Sequence, residues 1–179
     1  MIVTWIAHWE RGKGVPQCTE SKIEFNFDSA FEVHTHDLNC RCEGDHQRDG
    51  NSLWPGVDFR IVDAEGALWL EVKNWRVSAR NSYSRAMRSK MFAREMREKF
   101  LGTAAFLASR KDPNAMPSPL TLVFLFQGPH GADPRLRGIC NQLVRDQLHS
   151  ALNPLNIRFA IVDVDTWNQR FPDYPARQI

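Results

Sequence analysis

The stretch PGVDFRIVDAEGALWLEVKNW, Pro55 to Trp75, decides how this chain is read. Val57, Phe59 and Ile61 alternate with Asp58 and Arg60, the period-two pattern of a half-buried strand. DAEG offers a turn, with Gly66 free to take positive φ. ALWLEVKNW is a second strand, apolar except that Glu71 and Lys73 fall on one face, following Trp69. A two-residue loop at Ala64 and Glu65 sets Asp58 opposite Glu71, on the face that also carries Lys73. Ala-Glu is not a favoured two-residue loop, and a slip of one residue would turn Asp58 to the other face. The register at this turn is therefore the critical detail.

On the N-terminal side, KIEFNF alternates apolar and polar residues and is expected to form a short strand. In SAFEVHTHDL, Ser29 with Glu32 three residues on is a capping-box arrangement, which suggests a short helix over residues 29–38; a strand fits nearly as well. CEGDHQRDGNS is a polar loop. On the C-terminal side, Met87, Met91, Phe92, Met96, Phe100, Ala104 and Leu107 recur at helical spacing, which predicts a long amphipathic helix from Ser84 to Ser109. Arg85, Arg88, Arg94 and Arg97 lie on its polar face, and KDPNAMPSP ends it. LTLVFLFQG is a continuous apolar run of strand length, as in a central strand covered on both faces. DPRLRGICNQLVRDQLHSAL has Pro134 near a helix start and periodic Leu136, Ile139, Leu143 and Leu148. IRFAIVDV closes as another buried strand. A hairpin followed by α, β, α, β implies an α/β fold: a mixed central sheet with flanking helices.

The 179 residues suit a single domain with an ordinary apolar fraction. No run approaches the roughly 18 apolar residues of a membrane helix. MIVTWIAHWERGK has too short an apolar run for a signal peptide, so a cytoplasmic protein is expected. The net charge of +2 hides an asymmetry: Lys73 to Lys111 holds eleven Lys or Arg against two acids, Glu95 and Glu98, a net of +9. Such a segment is the footprint of a polyanion contact, or else a solvated helix face. The four cysteines, Cys18, Cys40, Cys42 and Cys140, are expected as free thiols. His34, His36, Cys40 and Cys42, with His46 nearby, could hold a structural Zn²⁺, but their H-x-H and C-x-C spacing is not that of common zinc folds. Trp54, Trp69 and Trp75 are expected to pack in the core or on the sheet rather than stack on bases.

Two carboxylates placed side by side repel, and a divalent cation between Asp58 and Glu71 would remove the conflict. Mg²⁺ takes one or two carboxylates together with waters and phosphate oxygens. A lysine beside them can orient or deprotonate an attacking water, or offset charge at the phosphate. The trio is thus a candidate metal-dependent phosphodiesterase site. The plainer alternative is an exposed sheet face with a cross-strand Lys–carboxylate pair, contributing under about 1 kcal/mol.

PGVDF followed by LEVKNW resembles the PD-(D/E)xK, or restriction-endonuclease-like, nuclease superfamily, whose motif is an Asp on one strand and Glu-x-Lys on the next. Here these are Asp58, Glu71 and Lys73, with Pro55 standing in loosely for the Pro. The specific match covers 21 residues, and the element order supports it over residues 55–165. The resemblance implies an αβββαβ core, with residues 1–50 an N-terminal elaboration and first core helix, and residues 51–165 the core. It implies Mg²⁺, with Mn²⁺ as a substitute, held by Asp58, Glu71 and the Val72 carbonyl. It further implies phosphodiester hydrolysis in nucleic acid, and an endonuclease acting on DNA is the activity expected here. Family members often carry a further acid on the first core helix; Glu32 is the best placed, with Glu24 and Glu43 as rivals.

Arg76, Arg80, Arg85 and Arg88 are candidates to hold the phosphate backbone, in a sequence-independent and salt-sensitive way. Cutting both strands would be simplest for a homodimer presenting two sites. RNA as substrate stays open. Two other functions stand beside the nuclease: a nucleic-acid-binding subunit of a larger complex with no catalysis of its own, and a zinc-stabilised interaction domain.

Overall fold

The computed structural model describes residues 17–30, 32–35, 41–43, 47–48, 55–74, 91–109, 119–128, 138, 141–142, 145–146 and 157–179. The hairpin forms with the expected register: β6 (Phe59–Asp63) runs antiparallel to β7 (Gly66–Asn74), with Asp63 opposite Gly66 and Phe59 opposite Leu70. The unfavoured Ala-Glu loop is held by Asp63, whose Oδ1 accepts from the amides of Glu65 at 2.7 Å and Gly66 at 3.0 Å. This side-chain turn replaces what an Asn-Gly pair would supply through its backbone. Gly66 has φ +139°, and a Cβ there would lie 2.2 Å from the Pro119 carbonyl oxygen. The close approach lets the Ala67 amide donate to that oxygen and draws the start of β8 (Leu120–Gln127) alongside.

β7 and β8 pair in parallel, as do β8 and β9 (Arg158–Val162). A crossover helix is what a parallel β7–β8 pair requires, and α1 (Met91–Ser109) supplies it. β8 is buried along nearly its whole length, as a strand flanked on both sides should be. On the other side of the hairpin, β3 (Glu32–Thr35) is antiparallel to β6, and β5 (Gln47–Arg48) lies parallel to β3. The sheet order is β5-β3-β6-β7-β8-β9, a mixed α/β sheet. The first of the two readings of residues 29–38 is thereby corrected: Glu32 to Thr35 form a strand, not a helix. Their alternating burial, with Val33 and Thr35 inward, gains a sheet ladder that a short isolated helix could not match.

The remaining strands form a second sheet. β1 (Gln17–Glu20), β2 (Ile23–Asn26), β4 (Arg41–Glu43) and β10 (Ala176–Gln178) are antiparallel in the order β10-β2-β1-β4. Sheet membership thus crosses residues 50 and 165: β3 joins the central sheet, and the C-terminal β10 pairs with β2. Flanking helices were expected on both faces of the central sheet. Among the described residues, α1 covers one face and the four-stranded sheet, with α2 (Val164–Arg170), the other. Phe25 and Phe27 both meet Phe59 across the sheets, with ring centroids 5.5 Å apart.

The two faces have separate cores. Phe59, Ile61, Leu68, Leu70, Val72, Val123 and Leu125 point to the second sheet. Val57, Ala67, Trp69, Leu122, Phe124 and Phe126 point to α1, which inserts Met96, Phe100, Phe106 and Leu107. Trp69 is a core residue, as expected; Trp54 and Trp75 lie outside the described residues. Of the predicted helix at 84–109, residues 84–90 lie outside the described residues, as does most of the predicted helix at 133–152, where residues 138, 141–142 and 145–146 are helical.

The cysteine expectation is corrected at Cys18, which is buried and disulfide-bonded. The proposed zinc ligands are divided between sheets: His34 lies on β3, while Cys42 lies on β4 opposite Cys18. His36, Cys40 and His46 lie outside the described residues. No described helix is long and apolar enough to cross a membrane.

Candidate active site

Strand alternation puts Trp69, Glu71 and Lys73 on the face that α1 covers. Trp69 sits beneath the helix, and Glu71 and Lys73 follow towards the end of β7. Asp58 stands one residue before β6, where the chain bends. Val57, on the same face as Trp69, and Phe59, on the opposite face, flank this bend. Instead of continuing the ladder, Asp58 turns its carboxylate onto β7, and Oδ2 accepts from the Val72 amide at 2.8 Å. In an extended strand the N–H and C=O of one residue project to the same side. The Val72 carbonyl is therefore directed to the side of β7 on which Asp58 lies.

α1 completes the cluster. Lys99 Nζ lies 2.5 Å from Glu71 Oε1 and 3.4 Å from Asp58 Oδ1. Both carboxylates are within ion-pair distance of one nitrogen, so they converge as the hairpin register requires. Lys73 Nζ lies 3.2 Å from Glu71 Oε1 and 2.6 Å from Glu95 Oε1. Glu95 and Lys99, four residues apart, stand on one stripe of α1. The helix is locked in place by the next residues of that stripe. Thr103 Oγ1 accepts from the Val57 amide at 3.0 Å, and a Cβ on Gly102 would sit 1.9 Å from the Pro55 carbonyl oxygen. Gly102, which costs a helix about 1 kcal/mol relative to Ala, lets α1 lie directly against the segment that carries Asp58.

The electrostatics follow from burial. Glu71 is 0% exposed, and its Oε2 is buried without a hydrogen-bond partner among the described residues. Burial, with the Asp58 charge next, pushes its carboxyl up to about 8, although Lys99 and Lys73 pull the other way. Burial alone would lower the Lys73 ammonium, but Glu71 and Glu95 raise it above the usual lysine range. Lys99 is likewise raised by Asp58 and Glu71 against the effect of burial. Both lysines are thus held as ammonium groups, able to donate hydrogen bonds and unable to accept a proton.

Of the residues anticipated from sequence, Asp58, Glu71, Val72 and Lys73 come together. Glu32 does not join them: it pairs with Val62 in register, four residues up β6 from Asp58, and its Oε2 lies 3.1 Å from His34 Nε2. Its rival Glu24 pairs with Arg177 at 2.8 Å on the second sheet, and Glu43 ends β4 of that sheet. Arg76, Arg80, Arg85 and Arg88 lie outside the described residues. Sequence reasoning missed Glu95 and Lys99, which it had counted only as charges in the basic segment. Their spacing with Thr103, beside the apolar stripe of Met96 and Phe100, was the available signal.

The pair of carboxylates, the orphaned Glu71 Oε2 and the Val72 carbonyl form an oxygen donor set suited to a hard divalent cation. Among the described residues no group of three or more His, Cys, Asp or Glu side chains is arranged around a metal position. Comparison with known protein families, curated proteins and solved structures finds no match, so the geometry alone carries the functional reading.

Proposed function

We propose that this protein is a metal-dependent nuclease that hydrolyses phosphodiester bonds in DNA, built on a restriction-endonuclease-like core. The observation that carries the proposal is Glu71: a carboxylate sealed from water, with one oxygen unpartnered among the described residues, beside a second carboxylate and two ammonium groups. A fold gains nothing in stability from such an arrangement, since buried charges and orphaned oxygens are costly. A cation ligand accounts for it. The order of β3, β6 and β7 as antiparallel neighbours, then α1, then β8 parallel to β7, agrees with the βββαβ part of the proposed core.

In this reading Asp58, Glu71 and the Val72 carbonyl hold Mg²⁺ or Mn²⁺. When bound, the ion supplies Lewis-acid polarisation of the phosphoryl oxygens. Lys73, as an ammonium, donates to the attacking water or to the charge that develops on the phosphate, rather than acting as a base. Glu95 keeps its Nζ in place from α1. The basic segment from Lys73 to Lys111 binds the phosphate backbone without regard to sequence.

One observation favours a second reading, a nucleic-acid-binding subunit without catalysis: Lys99 already ion-pairs with both carboxylates, so the cluster is partly self-compensated. One experiment separates the two. Plasmid, linear duplex and single-stranded DNA, and RNA, are incubated with the protein and Mg²⁺, Mn²⁺ or EDTA, beside Asp58→Ala and Lys73→Ala. Metal-dependent cleavage lost by at least about a hundredfold in both variants is expected. Binding without cleavage under every condition supports the second reading, and cleavage unchanged in either variant rules out this site.

A further inference from the structure

We infer that the Lys99 ammonium is a placeholder for the divalent cation: it sits between Asp58 and Glu71 in the metal-free protein and must leave both carboxylates when the metal binds. The inference rests on the proposed metal site, but it concerns a residue that the sequence motif does not contain.

The geometry separates the two lysines. Lys73 lies at 3.2 Å from one Glu71 oxygen, and its shortest contact, 2.6 Å, is to Glu95, outside the carboxylate pair. Lys99 makes its shortest contact, 2.5 Å, with Glu71 Oε1, and its second with Asp58 Oδ1. Both of its acidic partners among the described residues are the proposed metal ligands. An ammonium and a divalent cation cannot share the same carboxylate oxygens without strong repulsion. The protein therefore has to exchange one cation for the other.

This exchange has a structural logic. Without any cation, Asp58 and the fully buried Glu71 would repel, and the two carboxylates would be driven apart. Lys99 offsets that repulsion from a helix already fixed to the Asp58 segment by Thr103 and Gly102. Its side chain is 20% exposed, so the ammonium has a route outward to solvent. An unbranched four-carbon stem can swing without moving the backbone. Lys99 thus keeps the site assembled before metal arrives and sets a threshold on the affinity for it.

The test measures metal binding directly, with no nucleic acid present. Mn²⁺ affinity is determined by calorimetry for the wild type, Lys99→Met, Lys99→Gln and Arg97→Met. Arg97 is an exposed cation on the same helix and controls for the loss of one positive charge. The two Lys99 variants should bind Mn²⁺ about tenfold tighter or more, and Arg97→Met should bind as the wild type does. Thermal unfolding is the second readout. Metal-free Lys99→Met should melt below the wild type, and saturating Mn²⁺ should raise its midpoint by more than it raises that of the wild type. Lys99→Gln keeps hydrogen-bonding capacity and serves if Lys99→Met does not fold. Unchanged or weaker affinity in a folded Lys99 variant overturns the inference and leaves the metal site standing. No binding by any of the proteins overturns the metal site, and the inference with it.

Discussion

Glu71 is the residue at which burial and charge conflict most sharply. Its carboxyl is raised from an ordinary 4.5 to about 8 by burial and by Asp58. A carboxyl raised on folding contributes stability that is fully present below its unfolded value and is lost as pH rises through its folded value. Metal-free protein should therefore lose unfolding free energy between about pH 4.5 and pH 8, the interval set by that shift. Lys73 and Lys99 do not contribute to this slope. Their folded values are raised above 10.5, so their contribution is constant across the interval. Glu71→Gln should flatten the slope, as read from urea unfolding at a series of pH values. A slope that survives unchanged in Glu71→Gln would show that it comes from other groups.

At the level of elements, the site depends on how closely one helix approaches one turn of chain. Apolar burial by Met96, Phe100 and Phe106 presses α1 onto the sheet, but it does not fix the helix along its axis. Gly102 against Pro55 and Thr103 with Val57 set that position, and with it the reach of Lys99 and Glu95. Gly102→Ala has opposed effects: alanine favours the helix by about 1 kcal/mol, and its Cβ meets backbone at 1.9 Å. The clash should win, because the backbone around Asp58 cannot yield as a flexible side chain would. A net loss of about 1–3 kcal/mol is expected from denaturant unfolding. The proposed cleavage per folded molecule should fall as well, since Glu95, which holds the Lys73 ammonium from α1, is moved away from the hairpin. A variant as stable as the wild type would mean that α1 shifts freely.

On the scale of the whole molecule, the chain closes on itself through its C-terminal residues. Trp167 on α2 is fully buried, meets Phe25 edge-on at 5.8 Å, packs against the tilted ring of Phe171 at 4.6 Å and donates from Nε1 to the Tyr174 carbonyl. Tyr174 donates its hydroxyl to Asp63, the residue that shapes the hairpin turn. Asn168 exchanges hydrogen bonds with the Ala176 backbone, at 2.9 and 2.7 Å, in place of a strand beside β10. The second sheet, the C-terminal segment and the hairpin are thus one packed unit on the face away from the site. Trp167→Ala should cost about 3–5 kcal/mol by urea unfolding. The carboxylate cluster lies on the opposite face, so Mn²⁺ affinity of the folded fraction should be little changed.

The hairpin was legible in the sequence because everything that defines it is local. Alternation of Phe59 and Ile61 with their neighbours, a turn at DAEG and the alternation of the strand after it fix which side chains share a face, and the register followed; Val57 does not share the face of Phe59, because the chain bends at Asp58 between them. The apolar run of β8 was legible for the same reason, since a strand covered on both faces has no polar side to display. The segment at Glu32 was ambiguous because a capping box and a four-residue strand have comparable local preference; pairing with β6 decided it. The second sheet was not legible, because β2 and β10 meet across 150 residues of chain and no local pattern reports a distant partner. The candidate site divides in the same way. Asp58, Glu71 and Lys73 are a property of the sequence, carried by strand periodicity. That Glu71 is sealed from water, and that Lys99 stands between the two carboxylates, was decided by tertiary packing, since burial and helix approach are set by residues far apart in the chain.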